Sequence, residues 1–386
     1  MAKEETTEIN NEEELKEWVK NNGFLWSAHW NLTYKCNENC KHCYIPDVKD
    51  PDIKNELSKK EIFKVIDDMV ELGVFYLTLS GGEPTLRKDF FEIVDYASKK
   101  GMCITIYTNG LNLTEEFIEQ LSEYWIHKVG ISIYSSNSKL HDEITQVKGS
   151  FDKSVNALKK LFNKGIKTEI NSVQLNNTVQ GYFKTKNFTE SLGGSVTMDF
   201  SLSPKLNGNL SPLSFEIDFD KLIVLSATPN NPLSVSAKSN EWGYEYNEPV
   251  CGAGHDLLCL NPQGDVYPCA SFPFSVGNIK TNSLKSIWKN SLYGENKDNS
   301  LLANWQKIKL KDFKECGNYD YCSYCDQICP AEAFLERNNY LEKASYNCKQ
   351  AKARMKADRM LKRGLNRKDI CTKLNISKKF GWENSQ

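Results

Sequence analysis

The sequence predicts an α/β protein: a partial (β/α)6 barrel followed by a small cysteine-rich domain that contains a β-hairpin and helices. Strand-like and helical stretches alternate six times between residues 24 and 203, and eight of the thirteen cysteines fall between residues 251 and 348. Successive βα units require a parallel sheet, and right-handed crossovers curl such a sheet toward a barrel. Six units are too few for a closed eight-stranded barrel, so we expect an open one.

The six predicted strands are short apolar runs, and helical runs lie between them. The first clear helix spans residues 58–73, where Ser58 and Glu61 form a capping box and Gly73 supplies the C-terminal cap. A second clear helix spans residues 153–165, with apolar residues on one face. The strands are predicted at 24–34, 74–80, 102–108, 128–135, 167–175 and 195–202.

The composition changes after the barrel. Residues 204–250 are rich in Asn, Pro and Ser and predict a loose connection. A hairpin is predicted in DLLCLNPQGDVYPC, where Pro262 and Gly264 supply the turn. These changes predict four segments: an acidic polar extension (1–23), the barrel (24–230), the cysteine-rich domain (231–348) and a basic helix with a tail (349–386).

Composition and charge exclude several classes of function. The formal net charge of -1 gives no indication of a nucleic-acid or membrane partner. No apolar run approaches the roughly 20 residues of a membrane helix, and the acidic start MAKEETTEINNEEE is unlike a secretory signal. We therefore expect a cytoplasmic protein, in which thirteen cysteines indicate metal or redox chemistry rather than disulfides.

The stretch CNENCKHCY holds Cys36, Cys40 and Cys43 as C-x3-C-x2-C, directly after the first predicted strand. The C-terminal ends of parallel strands carry the active sites of barrel-type proteins. A four-iron cluster ordinarily has four protein ligands, so three thiolates would leave one iron open to a small chelating molecule. The alternatives are a chance grouping, or a zinc knuckle with His42 or Cys103 as a nominal fourth ligand.

The second predicted strand ends in Gly81, Gly82, Glu83 and Pro84. Two glycines allow the backbone to approach a ligand closely, and Glu83 offers an anionic acceptor suited to an ammonium group. A GGEP turn alone is unspecific. Because it follows the three-cysteine loop on the next strand, the two motifs together predict a site for an amino-acid-like cosubstrate.

In these two motifs the chain resembles the radical S-adenosylmethionine (radical SAM) superfamily. Cys36, Cys40 and Cys43 match its cluster motif, Tyr44 the aromatic residue that follows it, and Gly81–Pro84 its methionine-binding motif. The resemblance implies that the amino and carboxylate groups of SAM occupy the open iron. It also implies reductive cleavage of SAM to a 5′-deoxyadenosyl radical, which abstracts a substrate hydrogen.

The resemblance extends to the ends of later strands. Thr108, Asn109 and Gly110 end the third predicted strand and Ser132 lies in the fourth, where relatives contact the ribose or methionyl groups of SAM. Asn109 and Ser132 are therefore predicted to contact the cofactor.

Other positions are less well matched. Where some relatives have an arginine for the SAM carboxylate, this chain has Thr145, with Lys148 as a candidate substitute. Asn171 in the fifth predicted strand is a further candidate contact. His42 and Trp30 are expected to pack locally rather than to bind a ligand.

The eight cysteines between residues 251 and 348 are enough to provide four ligands to each of two metal centres. The segment CGAGHDLLCLNPQGDVYPC resembles the SPASM extension of radical SAM enzymes, which carries auxiliary clusters. The resemblance implies three [4Fe-4S] clusters per chain and suits the auxiliary two to electron relay; two structural zinc sites are the alternative. The implied ligand sets are Cys251, Cys259, Cys269 and Cys329 for one cluster, and Cys316, Cys322, Cys325 and Cys348 for the other.

Two cysteines stand apart from these groups. Cys103, within the apolar run MCITIY, is predicted to be a buried strand residue, and Cys371 lies in the basic tail, away from both cysteine groups.

The SPASM resemblance implies oxidative modification of a ribosomally made peptide, such as C–C or C–S crosslinking. The expected partners are the peptide, an external electron donor such as flavodoxin or ferredoxin and a separate peptide-recognition protein, because residues 1–23 are too few for a leader-binding domain. Tetrapyrrole side-chain chemistry of the haem pathway is a second hypothesis, and a non-catalytic iron–sulfur carrier or zinc module is a third. Sulfatase maturases have a catalytic aspartate after the hairpin cysteine, whereas Ala270 follows Cys269 here, and no catalytic residue is predicted.

Overall fold

The computed structural model describes residues 11–46, 48–49, 51–235, 249–293, 300–313, 315–316, 318–326, 328–377 and 380. Its first six strands are parallel and lie side by side in chain order, as the pattern of βα units predicts. The predicted open (β/α)6 barrel is confirmed, with the sixth strand at one edge. The strands are β1 (Ser27–Thr33), β2 (Tyr76–Gly81), β3 (Cys103–Thr108), β4 (Ile126–Ser132), β5 (Thr168–Val173) and β6 (Ser195–Asp199).

The predicted hairpin is part of the same sheet. Its strands are β7 (Leu257–Leu260), β8 (Asp265–Tyr267) and a short β9 (Gly277–Asn278). β7 pairs in parallel with β1, opposite to β2, so that the order becomes β6-β5-β4-β3-β2-β1-β7-β8-β9. The boundary drawn between barrel and cysteine-rich domain therefore does not coincide with a break in the sheet.

Thirteen helices accompany the sheet in the described part of the chain. The capping box predicted at the start of the second helix is present: Ser58 Oγ accepts the Glu61 NH, and Glu61 accepts the Ser58 NH at 2.8 Å. The helices are α1 (Glu12–Asn21), α2 (Lys59–Glu71), α3 (Phe90–Lys99), α4 (Glu115–Leu121), α5 (Ser138–Thr145), α6 (Ser150–Asn163), α7 (Tyr182–Ser191), α8 (Phe219–Ser226), α9 (Leu284–Tyr293), α10 (Leu301–Gln306), α11 (Pro330–Arg337), α12 (Ser345–Lys362) and α13 (Arg367–Lys373).

Side chains alternate along β1, as they must along a strand. Ala28, Trp30 and Leu32 point into the apolar layer under the helices and are almost fully buried, which confirms the expectation that Trp30 packs locally. His29 and Asn31 point to the inside of the barrel. The same core includes Trp288 of α9, whose Nε1 donates to the Gly23 carbonyl at 2.8 Å.

The basic segment near the C-terminus packs on the barrel instead of forming a separate tail. α12 lies against α8 through small, fully buried residues: Ala353 and Ala357 belong to one core with Leu222 and Ile223 of α8. α8 itself falls in the predicted loose connection, because its eight residues are too few for a clear periodic pattern.

The predicted acidic extension forms α1 from Glu12 onward. Residues 1–10 of that extension, 236–248 of the connection, and 378–379 and 381–386 of the tail lie outside the described residues. Within the described residues, none of the helices combines the length and apolar character needed to cross a membrane.

Candidate functional site

The three-cysteine loop leaves the C-terminal end of β1 and is held by the end of α5. The Asn39 NH donates to the Thr145 carbonyl at 3.0 Å, and the Lys41 NH donates to the Ile144 carbonyl at 2.9 Å. The last carbonyls of a helix have no partner within the helix. The loop therefore satisfies two of the carbonyls at the end of α5, and α5 fixes the loop.

The two glycines of GGEP bring β2 against the start of the same loop. Gly81 has a φ of +135°, and a Cβ at this position would lie 2.2 Å from the Thr33 carbonyl oxygen. A Cβ on Gly82 would lie 2.5 Å from the Lys35 carbonyl oxygen. Because any side chain would collide with backbone, only glycine permits this approach.

Glu83 lies in a different place from the one expected. Its side chain is fully buried, and its carboxylate accepts Thr85 Oγ1 at 2.6 Å, Thr108 Oγ1 at 2.8 Å and the Asn109 NH at 2.8 Å. Burial raises the pKa of Glu83, and these hydrogen bonds oppose the rise. Its protein partners occupy the carboxylate, so in this structure Glu83 joins the ends of β2 and β3 rather than facing a ligand.

A cavity of about 380 Å³ opens beside the cysteine loop at the C-terminal ends of the strands. Ligand pockets for small molecules have volumes of roughly 300–1,000 Å³, so the cavity suits a ligand of nucleoside size. Of the predicted site residues it is lined by Cys36, Cys40, Cys43, Tyr44, Gly81, Gly82, Asn109, Ser132 and Asn171, and not by Glu83, Pro84, Thr145 or Lys148.

The positions of the last four residues have physical explanations. Thr145 is fully buried and its hydroxyl lies 2.7 Å from that of Ser150, while Lys148 is exposed on the surface. Pro84 begins a short 3-10 helix behind the strand ends. In this structure none of them contributes to the lining of the cavity.

The loop thiols are partly buried at the edge of the cavity and lie close to a carboxylate. Burial raises the pKa of Cys36 to about 12 and holds that of Cys40 well above its usual value, and the Glu38 carboxylate adds to both shifts. Glu38 Oε2 lies 3.2 Å from Cys40 Sγ, and its other oxygen has no hydrogen-bond partner among the described residues. Thiols in such a place are protonated unless a metal takes the proton's position, which fits a set of metal-ligating cysteines.

Two aromatic residues complete the wall around the loop. The Tyr134 hydroxyl lies 4.0 Å from Cys40 Sγ, and its ring meets the His42 ring edge-on with the centroids 4.6 Å apart. His42 was expected to pack locally, and it also lines the cavity. Burial lowers the pKa of His42 to about 4, so its imidazole is neutral. Cys103 lies at the opposite end of its strand, too far from the loop to be a fourth ligand.

The second cysteine group divides into two neighbourhoods. Burial raises the pKa of Cys269 to about 11 and that of Cys329 well above its usual value, and the nearby Cys251 thiol contributes to both shifts. Cys259, in β7, has Cys269 as its charged neighbour, and burial again raises its pKa. Cys329 therefore lies with the hairpin cysteines, although it is distant in sequence.

The other four cysteines are neighbours at the C-terminal side. Burial raises the pKa of Cys316 to about 12, with contributions from Cys348, Cys325 and Cys322. Arg354 lies beneath this group, 1% exposed, and forms two hydrogen bonds of 2.6 and 2.8 Å with Asp326. This geometry agrees with the ligand sets that the resemblance implies. In the described residues no three His, Cys, Asp or Glu side chains are close enough to hold a single metal ion.

Several residues that line the cavity are not predicted from the sequence. Glu38, Tyr134, His29 and Asp199 all line the cavity. Tyr134 and Asp199 lie at or just after the C-terminal ends of strands, and this position alone would have predicted them as site residues. The role of Glu38 is visible only once the loop is folded, because the sequence does not show that its side chain turns inward.

Comparison with known proteins gives two family matches. The Radical SAM superfamily matches residues 30–181, and the iron–sulfur cluster-binding SPASM domain matches residues 251–327. Mycofactocin maturase MftC of Mycolicibacterium smegmatis is 31% identical over 284 residues, or 68% of this chain and 69% of that protein. AdoMet-dependent heme synthase of Methanosarcina barkeri is 27% identical over 342 residues, which cover 82% of this chain and 94% of that protein.

The fold has counterparts among solved structures. Streptococcus suis SuiB bound to S-adenosylmethionine superposes with a TM-score of 0.62 at 16% identity, over 89% of this chain and 84% of that one. The same protein bound to its precursor peptide SuiA gives a TM-score of 0.57 at 16% identity, over 90% and 83%.

These matches set aside the hypotheses of a zinc module and a non-catalytic carrier. The chain belongs to the radical SAM superfamily: it is an enzyme of that family with a C-terminal SPASM domain, and it uses S-adenosylmethionine and iron–sulfur clusters.

Proposed function

We propose that this enzyme oxidatively modifies a ribosomally synthesised peptide, for example by forming a C–C or C–S crosslink. The observation that carries the proposal is the relationship to mycofactocin maturase, which exceeds 30% identity over two thirds of both chains. SuiB, whose fold is shared, binds a precursor peptide.

The proposed site is built from the residues around the cavity. Cys36, Cys40 and Cys43 would hold a [4Fe-4S] cluster, and SAM bound beside it would supply the 5′-deoxyadenosyl radical. The backbone of Gly81 and Gly82 would lie along the methionyl part of SAM. The remaining contacts proposed for SAM are Tyr44, Asn109 and Ser132, which line the same cavity.

Two auxiliary clusters are proposed for the C-terminal part of the chain. One would be held by Cys251, Cys259, Cys269 and Cys329, and the other by Cys316, Cys322, Cys325 and Cys348, in accord with the two neighbourhoods described above. With three clusters, each chain would carry about twelve irons. An external electron donor and a separate peptide-recognition protein are the further partners proposed.

The first experiment tests the radical chemistry. The reconstituted enzyme, incubated anaerobically with SAM and dithionite, should release 5′-deoxyadenosine. Replacing Cys36, Cys40 and Cys43 together with alanine should abolish that release and remove about four irons. Cys103→Ala is the matched control, since Cys103 is a buried strand cysteine far from the loop.

The second experiment tests the substrate. A peptide encoded beside this enzyme, co-expressed with it, should lose two hydrogens by mass spectrometry if a crosslink forms. An unchanged peptide together with conversion of a tetrapyrrole would contradict the proposal.

Tetrapyrrole side-chain chemistry is the second candidate function. It is favoured by the 27% identity to AdoMet-dependent heme synthase, which extends over 82% of the chain. Incubation of the reconstituted enzyme with haem-pathway tetrapyrroles, followed by chromatography of the products, distinguishes the two candidates.

A further inference from the structure

The outer face of α12 carries a row of cations that begins one turn after Cys348, and we call it the basic stripe. It consists of Lys352, Lys356 and Arg359 of α12 and of Arg363, which caps the C-terminal end of the helix. All four side chains are exposed. Because residues three or four apart share one face of a helix, they form a single row of about 16 Å.

The other side of α12 fixes the position of the basic stripe. Its buried face packs against α8. Asp358 accepts a hydrogen bond from Tyr324 Oη at 2.6 Å, and Arg354 donates to the Tyr324 carbonyl at 3.1 Å. Tyr324 lies between Cys322 and Cys325, so α12 is attached directly to the segment that carries these cysteines.

The charge of the basic stripe is largely unneutralised. Within the described ranges of the chain, no carboxylate forms an ion pair with Lys352, Lys356 or Arg363. Arg359 lies 3.4 Å from Asp320, but both side chains are more than half exposed. Since solvent weakens such a pair, it leaves the stripe strongly positive.

Two aromatic rings hold the first two cations in place. The Lys352 ammonium lies 4.9 Å from the centre of the Tyr321 ring, and the Lys356 ammonium lies 5.4 Å from that of Phe219. A ring attracts a cation through its negative face and carries no net charge. The rings therefore order the two lysines and leave their charge available to a partner.

The stability of the helix does not explain the whole stripe. Cations in the last turn of a helix interact favourably with its dipole, which accounts for Arg359 and Arg363 but not for Lys352 and Lys356 in the middle of α12. Between residues 349 and 377 lysines and arginines outnumber aspartates by ten to two, although the net charge of the chain is -1. Positive charge is thus concentrated on this element.

The chemistry of the enzyme requires a partner that brings electrons. Each reductive cleavage of SAM takes up one electron, breaks the C5′–S bond and yields methionine and a 5′-deoxyadenosyl radical. The basic stripe begins at the C-terminal cysteine group, whose four thiols are partly exposed. A protein that docks on the stripe would therefore lie beside residues suited to a redox centre.

We propose that the basic stripe is the docking surface of an acidic one-electron carrier protein of the flavodoxin or ferredoxin type. The inference rests on the proposed function only for the existence of an external electron donor, and it gives that donor a place on α12. Opposite charges on two proteins accelerate their encounter and orient the complex.

Binding of a recombinant bacterial flavodoxin and of a plant-type ferredoxin, both of net negative charge, tests the proposal. Their affinity for the reconstituted full chain is measured by biolayer interferometry at low and at high salt. The triple variant Lys352→Glu, Lys356→Glu, Arg363→Glu should bind at least one carrier about tenfold more weakly than the wild type at low salt. High salt should remove most of this difference, because it screens exposed charges.

A second triple variant controls for the change of net charge. Lys60→Glu on α2 with Lys153→Glu and Lys159→Glu on α6 alters three exposed lysines of other elements. This control should bind the carriers as the wild type does. Lys356→Gln alone should weaken binding about threefold, and this milder change gives the answer if reversal of three charges unfolds α12, as measured by thermal unfolding and iron content.

Stopped-flow kinetics separates docking from damage to a redox centre. Oxidation of the reduced carrier by the enzyme should be about tenfold slower with the stripe variant at low salt. Reduction by dithionite, a small molecule that needs no protein docking surface, should proceed at the same rate in the wild type and in both triple variants.

Three results would overturn the proposal. The first is that neither carrier binds the wild type, and the second is that both triple variants lose binding equally. The third is that a short single-stranded RNA or phosphatidylglycerol vesicles bind the wild type through the stripe while the carriers do not, because the stripe would then recognise another polyanion.

These outcomes are independent of the peptide-modification assay. If the carriers dock on the stripe but no neighbouring peptide is modified, the proposed function fails and the docking surface stands. If a neighbouring peptide is modified with dithionite as the reductant but the carriers do not dock, the docking surface fails alone.

Discussion

Individual buried polar residues determine how the site is held together. Glu83 is the clearest case, because a carboxylate with no access to solvent receives hydrogen bonds from Thr85, Thr108 and Asn109. It links the ends of two neighbouring strands where each contributes to the cavity. The sequence predicts Glu83 as part of the site, but a motif cannot show whether a carboxylate faces a ligand or the protein.

Replacing Glu83 with glutamine tests this interpretation. An amide NH2 would face at least one of the donors, which costs about 1–3 kcal/mol of unfolding free energy. Because Asn109 lines the cavity, SAM affinity should fall as well. Denaturant unfolding and SAM binding measure the two effects. Glu92→Gln, at an exposed carboxylate paired with Lys59, should change neither, and wild-type behaviour of Glu83→Gln would contradict the interpretation.

His141 predicts a pH dependence of stability. It is fully buried and its Nδ1 accepts the Tyr134 NH at 3.2 Å, and burial lowers the pKa of His141 to about 4. The unfolded chain binds the proton at a pKa of about 6.5, so stability present at pH 7 is lost as the pH falls through the window from 6.5 toward 4. His141 by itself should contribute about 1 kcal/mol to the loss of stability between pH 7 and 5.5.

Urea unfolding of the reconstituted protein at pH 7 and 5.5 measures this loss. His141→Phe should be less stable at pH 7, because the Tyr134 NH loses its acceptor, but should vary less with pH. Burial also lowers the pKa of His42 to about 4, so His42 contributes to the pH dependence of stability in the wild type and in His141→Phe alike. An equally steep dependence in His141→Phe would refute the assignment.

At the scale of elements, the cysteine loop depends on α5 and on the turn that joins α5 to α6. Asp142 of α5 accepts the Gly149 NH at 2.6 Å, Ser150 Oγ at 2.9 Å and the Phe151 NH at 3.0 Å. It thereby fixes the start of α6 and holds the end of α5, whose carbonyls bind the loop.

Asp142→Ala should therefore loosen the loop without touching a cysteine. Loss of these hydrogen bonds should lower the unfolding free energy by about 1–3 kcal/mol. Iron held by the three-cysteine loop should then exchange faster with a chelator. The clusters of the C-terminal group should keep their exchange rates. Asp152→Ala, in the first turn of α6, is the matched control, and equal exchange rates in both variants would argue against a role for Asp142.

The elements predicted best from sequence are those with a periodic pattern or a cap. β1 to β6 and α2 fall within or near their predicted ranges, because alternation and the Ser58 capping box are local properties. α8 and the position of α12 could not be predicted. Both depend on the contact between Ala353, Ala357 and the apolar face of α8, which joins residues distant in the chain.

At the scale of the whole molecule, the barrel and the C-terminal part share one core. Trp288 of α9 lies in the same apolar cluster as Leu25 and Trp30, and it donates a hydrogen bond to Gly23. The sequence predicts a cysteine-rich domain (231–348) separate from the barrel (24–230), but composition cannot show that this domain extends the sheet of the barrel. Cooperative unfolding of the barrel and the C-terminal part depends on tertiary contacts between residues distant in the chain.

Trp288→Ala should lower the unfolding free energy by about 3–5 kcal/mol, and a single transition should remain. Trp288→Phe removes the hydrogen bond and leaves most of the packing, so a loss of about 1 kcal/mol is expected. Thermal unfolding followed by far-ultraviolet circular dichroism and by cluster absorbance should give coincident curves. Two separate transitions would mean that the parts unfold independently.

The pairing of β7 with β1 also limits how the chain can be divided. Four residue pairs, from Ser27 with Leu257 to Trp30 with Leu260, cover the side of β1 that faces away from β2. A fragment truncated before the hairpin would leave that row of NH and carbonyl groups bare. Such a bare strand invites pairing between molecules, so recombinant fragments cut there should aggregate, and any shortened version for crystallography has to retain the hairpin.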